Sequence, residues 1–361
     1  MSSGPAMSSP GSGGQPVRVA RAELVRRLFR GGVPLLWCPP VTHYDDAGAI
    51  DAARMAAHLR HLAPHAHGLL IPGSTGDGWE LTAQEVRQLL ELALVQAQQL
   101  DLRLLIGALR PDPQEALRFI RESVDWLKAR TKKPTALEAL DEARVCGFTV
   151  CPPRGAELSQ HQIAGALASV LELGLPTAIY QLPQVTQNEI SPEAALDLAR
   201  SFSNFVFFKD TSGADHVALE GRGLAGVFAT RGAEGDYARW LKNAGGPYDG
   251  FLLGSANCFA PQFHRFIDDV SAGREEPARQ LSDRLTGVVN EASSLVAGLS
   301  VGNAFANANK AMDHFFAHGP QAGNVPPPRL HAGGRLPVEV IRAAGELLRR
   351  YGFMPAKGYL E

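Results

Sequence analysis

The sequence predicts an α/β chain closed into a (β/α)8 TIM barrel with a C-terminal helical extension, and three observations carry that prediction. Eight short runs, at 33–38, 68–72, 102–108, 148–151, 176–182, 205–209, 226–230 and 250–254, are predominantly apolar, as strands buried on both faces are. Stretches with helical spacing, at 50–62, 82–99, 113–127, 160–173, 192–201 and 235–244, lie between them. Beyond residue 260 the strand signal stops and only helical patterns follow, at 261–272, 274–299, 304–318 and 338–351. Eight strand–helix units close naturally into a barrel; an open doubly wound sheet is the runner-up, but no GxGxxG follows the first run.

The remaining segments fall around this frame. Residues 1–16 are almost entirely Ser, Gly and Pro, too poor in apolar groups to offset the entropy of ordering, and read as a disordered tail. The barrel is expected over 17–270 and the helical extension over 271–361. The segment from Val17 carries Arg18, Arg21, Arg26, Arg27 and Arg30 around apolar residues at helical spacing, which reads as a solvated amphipathic helix. Residues 127–144 exceed a minimal helix-to-strand connection and are expected as a surface insertion, and the Pro- and Gly-rich 319–337 as an irregular loop.

Composition narrows the partners. With 361 residues, 45% hydrophobic, the chain buries a large core, and 35 Lys and Arg against 37 Asp and Glu give a formal charge of −2. No global field for gripping nucleic acid or an anionic membrane results, and no signal peptide or membrane-span pattern is present. Cys38, Cys146, Cys151 and Cys258 form no CxxC pair, which argues against a disulfide framework or zinc ribbon and suits a cytoplasmic protein. His61, His65 and His67 are close in sequence but Pro64 breaks their helix and no carboxylate accompanies them, so no metal site is expected.

In a barrel of this kind, chemistry collects where the strands end. The second run ends in Gly73-Ser74-Thr75-Gly76-Asp77, a turn whose amides and hydroxyls suit an anion and proton relay. The fifth ends in Tyr180-Gln181-Leu182-Pro183, which puts a phenol at the mouth, as either a general acid and base or a satisfied core tyrosine. The sixth ends in Phe208-Lys209-Asp210-Thr211-Ser212-Gly213. Apolar walls lower a lysine's pKa and make it a nucleophile toward carbonyls; the structural alternative is a buried Lys209–Asp210 ion pair. His43 and Trp79 fall in loops at the same mouth, placed for substrate contact or for packing.

Together these strand ends resemble the dihydrodipicolinate synthase and N-acetylneuraminate lyase family of pyruvate-dependent class I aldolases. Its Gly-Thr-Thr-Gly-Glu turn, Tyr-Asn-x-Pro strand end and sixth-strand lysine are similar to GSTGD (73–77), YQLP (180–183) and FKDTSG (208–213) here. Val41-Thr42-His43-Tyr44 and the run from Gly250 to Asn257 resemble the family's first and eighth strand ends. The resemblance implies a Schiff base between Lys209 and a 2-oxo acid, Tyr180 and Ser74 as a proton relay, and Gly73, Thr75, Gly232 and Leu252 around the substrate. It implies no cofactor and no metal, an aldehyde as second substrate, and a homo-oligomer, dimer or tetramer.

Departures from the pattern bear on the substrate. Where the family often has Pro-Tyr-Tyr at the fourth strand end, this chain has Pro152-Pro153-Arg154, so a phenol is missing and Arg154 is a candidate binder of an acidic or polyhydroxylated substrate. The arginine that clamps the second carboxylate in dihydrodipicolinate synthase falls on or near Val185. Asp77 and Gln181 stand for the usual Glu and Asn. These changes rank a lyase or aldolase acting on another oxo acid, or a dehydratase of an oxo acid or sugar acid, above dihydrodipicolinate synthesis itself. A small-acid sensor without turnover is the rival from another class.

Overall fold

The computed structural model describes residues 14–361, with side chains from 17 onward. The expected tail therefore lies outside the described residues up to residue 13, and the first helix already begins at Gly14. Eight parallel strands form a closed barrel in chain order: β1 (Leu36–Cys38), β2 (Gly68–Ile71), β3 (Arg103–Gly107), β4 (Val145–Val150), β5 (Thr177–Gln181), β6 (Phe205–Asp210), β7 (Phe228–Arg231) and β8 (Gly250–Leu252). Helices in chain order are α1 (Gly14–Leu28), α2 (Ala52–Leu62), α3 (Ala83–Leu100), α4 (Pro113–Thr131), α5 (Ala136–Glu142), α6 (Gln160–Leu171), α7 (Pro183–Thr186), α8 (Pro192–Ser201), α9 (His216–Leu219), α10 (Ala256–Ser271), α11 (Glu275–Val296), α12 (Asn307–His318) and α13 (Val338–Arg350). Among the described residues no helix is long and apolar enough to cross a membrane.

Local sequence starts these helices where expected. Thr82 and Glu85 close a capping box on α3, Ser159 and Gln162 another on α6, and Asp112 with Pro113 opens α4. The helix expected at 235–244 does not form. Gly235, Asp236 and Gly245 all take positive φ, and two single turns of 3-10 helix replace it. The loop at 319–337 is likewise less irregular than its composition suggested, since Gly319–Asn324 winds into a 3-10 turn and Arg329 bridges to Arg335.

Strand alternation builds the barrel interior in layers. A lower layer joins Trp37, Leu70, Leu105, Cys146, Ala178, Phe207 and Leu252 into one buried cluster, against which Leu28 and Phe29 at the end of α1 pack. Gly68 is glycine because the Trp37 indole occupies the place where its Cβ would stand. On β4, Cys146 faces the lower interior, Phe148 and Val150 face the helices, and Cys151 faces the upper interior. A bulge beside Gly147, whose φ is +152°, shifts the alternation by one.

Helix α1 is more than a solvated helix. Arg21, 1% exposed, donates to the carbonyls of Ala199, Phe202, Phe205 and Ala225, so α1 is bolted across the N-terminal mouth of the barrel. Asp141 of α5 pairs with Arg30 of the segment following α1 at 3.2 Å, which places the 127–144 insertion at this same end.

Candidate active site

Two residues up the strands from the sealed layer, the side chains change character. β5 and β6 pair Ala178 with Phe207 and Tyr180 with Lys209, so a step of two along each strand carries the inward direction from apolar packing to a phenol and an amine. Lys209 Nζ lies 3.9 Å from the Tyr180 ring centroid, and both residues are buried. The Lys209–Asp210 ion pair does not form. Alternation turns Asp210 away from the barrel axis, where it accepts from the Ser212 amide at 2.9 Å and from the Tyr248 hydroxyl. Burial pushes the Lys209 ammonium down to about 7, against the opposing pull of Cys151, Glu234 and Cys38. Burial also raises the Tyr180 phenol, with the Ser74 and Thr211 hydroxyls partly offsetting it.

Around this pair lies a cavity of ≈ 310 Å³ lined by Ser74, Thr75, Tyr180, Lys209, Thr211, Gly232, Glu234, Gly254 and Ser255 from the strand ends, and by Ser293, Phe305, Asn309 and Met312 from the C-terminal region. The 73–77 turn is a single 3-10 turn, Ser74–Gly76, followed by Asp77 at φ 61°. Ser74 Oγ accepts from Trp79 Nε1 at 2.9 Å, which leaves the serine proton free to point elsewhere. The turn is held from outside by Asp77, which accepts from Tyr44 and from buried Lys310 at 2.9 Å each, and by Asn303, which donates to the Ser74 carbonyl and to Asp77.

Of the residues singled out by sequence, Ser74, Thr75, Tyr180, Lys209 and Gly232 meet at this cavity. Gly232 has a steric reason to be glycine: a Cβ there would stand 2.7 Å from Lys209 Cε and against Thr211 Oγ1. The other three do not line it. Gly73 sits behind the turn, where its carbonyl receives the Gly76 and Gly78 amides and a Cβ would strike Pro39. Leu252 is one layer too low, in the apolar cluster with Trp37; the residue of that strand end that reaches the cavity is Gly254. Arg154 is exposed and outside the lining, because the chain after β4 turns outward to bond Pro111. Neither His43 nor Trp79 lines the cavity, and Trp79 acts on it through Ser74.

Sequence reading missed Glu234, two residues past Gly232 in the same strand-end loop. Its carboxylate accepts from the Ser255 amide and hydroxyl and from the Tyr237 hydroxyl, at 2.9, 2.6 and 2.8 Å. Burial raises its pKa, and those hydrogen bonds oppose the rise. The strand-end rule that found Gly232 reaches Glu234 as well; Asn309 and Met312, far beyond the last strand in sequence, carry no local signal.

No protein-family model matches the chain. Among curated proteins, the 4-hydroxy-tetrahydrodipicolinate synthases of Rhizobium meliloti (strain 1021) and Agrobacterium fabrum are each 25% identical over 261 residues, covering 72% of this chain and 81% of theirs. Among solved structures, a prophage protein of the dihydrodipicolinic acid synthase family from E. coli K12, in complex with pyruvate, superposes with a TM-score of 0.68 at 20% identity, over 89% of this chain and 99% of its own. The Sulfolobus 2-keto-3-deoxygluconate aldolase, in complex with D-KDPG, gives 0.66 at 17% identity over 88% and 96%. Such structural likenesses establish the barrel with its C-terminal helices, and the sequence relatives add a likeness at 25% identity: this chain is similar, as a divergent relative, to the dihydrodipicolinate synthase family.

Proposed function

We propose that the cavity is the active site of a Schiff-base-forming carbon–carbon or carbon–oxygen lyase that takes pyruvate or a related 2-oxo acid. The observation that carries this reading is Lys209: an amine buried at a strand end, facing a cavity, with its pKa pushed to about 7 and a phenol beside it. Near neutral pH a large share of Nζ is unprotonated and attacks the 2-oxo carbon. Loss of water gives the iminium, removal of a proton from the adjacent carbon gives the enamine, and the enamine adds to an aldehyde; the reverse order cleaves an aldol. Tyr180 moves these protons with Ser74, and the amides and hydroxyls of Ser74 and Thr75 hold the carboxylate. Trp79 occupies the outer side of Ser74, so the relay ends at an indole that carries no proton further.

The distal wall favours a neutral hydroxylated chain over a second carboxylate. It offers Glu234, Ser255, Ser293 and Asn309, and no arginine. A sugar-acid-like substrate fits that wall better than one ending in an anion, which a carboxylate would repel. Carbon–oxygen cleavage belongs to the same reading, because the enamine on Lys209 expels a hydroxyl from the next carbon, which leaves as water when Tyr180 supplies the proton. We extend the proposal to a cytoplasmic homo-oligomer, its subunit count to be read by light scattering.

The test is borohydride trapping with pyruvate and with longer 2-oxo acids, followed by peptide mapping. A reduced adduct on Lys209 is expected. Binding of the acids without an adduct to any of them identifies a sensor and sinks the lyase.

A further inference from the structure

The loop after β1, helix α2 and helix α12 converge on a buried cluster that the proposed chemistry does not use. His43, His58 and Asp313 are 3%, 0% and 0% exposed. His43 Nε2 lies 3.0 Å from His58 Nδ1 and 3.6 Å from Asp313 Oδ2, and one ligand atom from each residue falls within 4.8 Å of the others. Nitrogen and oxygen ligands roughly 2.0–2.1 Å from a tetrahedral ion stand about 3.3–3.4 Å apart, so small rotations of these side chains would enclose one. The outer contacts have the form that metal ligands need. His58 Nε2 is 3.2 Å from the Asn257 carbonyl, which holds the proton on that nitrogen and turns the Nδ1 lone pair toward His43. The Tyr359 hydroxyl donates to Asp313, bracketing its two oxygens at 3.2 and 3.1 Å.

We propose that His43, His58 and Asp313 form a binding site for a zinc-class divalent cation, separate from the catalytic cavity, with water as its fourth ligand. Two imidazoles and one carboxylate are a donor set suited to zinc and its neighbours.

Arg54, whose Nη2 lies 3.4 Å from Asp313 Oδ2, is the group in the way. Its grip is loose, since the contact is long and its buried Nε has no hydrogen-bond partner. It also lines a cavity of ≈ 880 Å³ together with Tyr359, and Asp45, Asp46 and Asp51 line the same cavity. Arg54 swings toward those carboxylates as the cation enters along them, which supplies an entry path and a destination for the displaced charge. The bound ion ties α12, which brings Asn309 and Met312 to the catalytic cavity, to the barrel through the β1 loop and α2.

Full-length protein stripped with a chelator and titrated with Co²⁺ tests this. One equivalent is expected to bind with visible d–d bands of tetrahedral intensity, to be displaced by Zn²⁺, and to raise the melting temperature as its concentration rises. His58→Gln is expected to weaken binding at least ~100-fold, whereas His264→Gln, at the outer pair where the His65 and His264 rings lie 5.6 Å apart, leaves it unchanged. Absence of binding by the wild-type chain overturns the proposal, as do bands that survive His58→Gln and vanish in His264→Gln. Should His58→Gln fail to fold, zinc-edge X-ray absorption of the wild-type protein decides: scattering from two imidazoles supports the site, and a shell without them refutes it.

Discussion

The two ends of the barrel are built from opposite materials. At the N-terminal mouth, Leu28, Phe29, Trp37, Phe207 and Leu252 close the interior with apolar contact, Trp37 meeting Phe207 edge-on at 5.1 Å, and Arg21 meets four carbonyls. At the C-terminal mouth a buried amine has no carboxylate in ion-pair contact among the described residues, and burial drives the pKa of Lys209 down and that of Glu234 up. The strands are the same; only the step of two along each separates the ends. One end is stabilised by satisfied groups, and the other holds groups that gain partners only when a substrate arrives.

The sharpest way to break this contrast is to make the open end resemble the closed one. Lys209→Met is expected to abolish turnover and borohydride trapping and, at the same time, to stabilise the fold. The lysine's pKa is about 7 in the folded protein against 10.5 ordinarily, so between those values the unfolded chain holds a proton that the folded chain lacks, and stability rises with pH across that window. At or below pH 7 the cost is on the order of a few kcal/mol, and removing it raises the melting temperature most there and least near pH 10.5. In the wild type, kcat/KM is expected to rise with pH through about 7 as Nζ loses its proton. A flat profile from pH 5 to 8, or a variant that melts lower than wild type at pH 7, contradicts the account of Lys209 as a desolvated nucleophile.

The converse experiment acts on the sealed end. Trp37→Ala leaves a void beneath the active-site layer and is expected to cost roughly 3–5 kcal/mol, seen as a lower urea midpoint. The folded fraction should keep KM within about twofold, because the indole packs in the apolar layer with Phe207 and Leu252, below the cavity; a large change in KM with an unchanged midpoint would show that the two layers are not separable.

How much of this was legible beforehand follows from range in sequence. The eight strands and Lys209, Tyr180 and Ser74 announce themselves through local pattern, an apolar run followed at once by a polar group. Leu252 was misplaced by one layer because the alternation along β8 fixes parity but not height, and height is set by pairing with β1 and β7. Arg154 was drawn in by chain position, and only the outward turn to Pro111 removes it. Arg21 looked like one surface arginine among five, and its four carbonyl partners come from segments roughly two hundred residues away. Asn309, Asp313 and Lys310 reach the barrel top through tertiary packing of α12, which no spacing rule encodes.

A smaller change sharpens the boundary of the open end. Gly232→Ala places a methyl group 2.7 Å from Lys209 Cε, so the lysine chain must shift. Displacing a reacting atom by a fraction of an ångström is expected to lower kcat by roughly 10²-fold with little effect on the melting temperature, since the amine still has the cavity to move into. Trapping should persist at a reduced rate, which separates a misplaced nucleophile from a missing one.

The smallest effect is expected behind the site, at Asn303. Its amide holds the Ser74 carbonyl at 2.6 Å and Asp77 at 3.0 Å, while Lys310 and Tyr44 keep Asp77 in place without it. Asn303→Ala therefore removes one of several restraints on the turn, costing about 1–2 kcal/mol of stability. Because Ser74 and Thr75 are proposed to hold the carboxylate, the loosened turn should raise KM several-fold and leave the rate of borohydride reduction at saturating oxo acid nearly unchanged. A fall in that saturating rate with KM intact would instead tie the turn to proton transfer, and would leave Ser74 its part in the relay with Tyr180 while removing it from carboxylate binding.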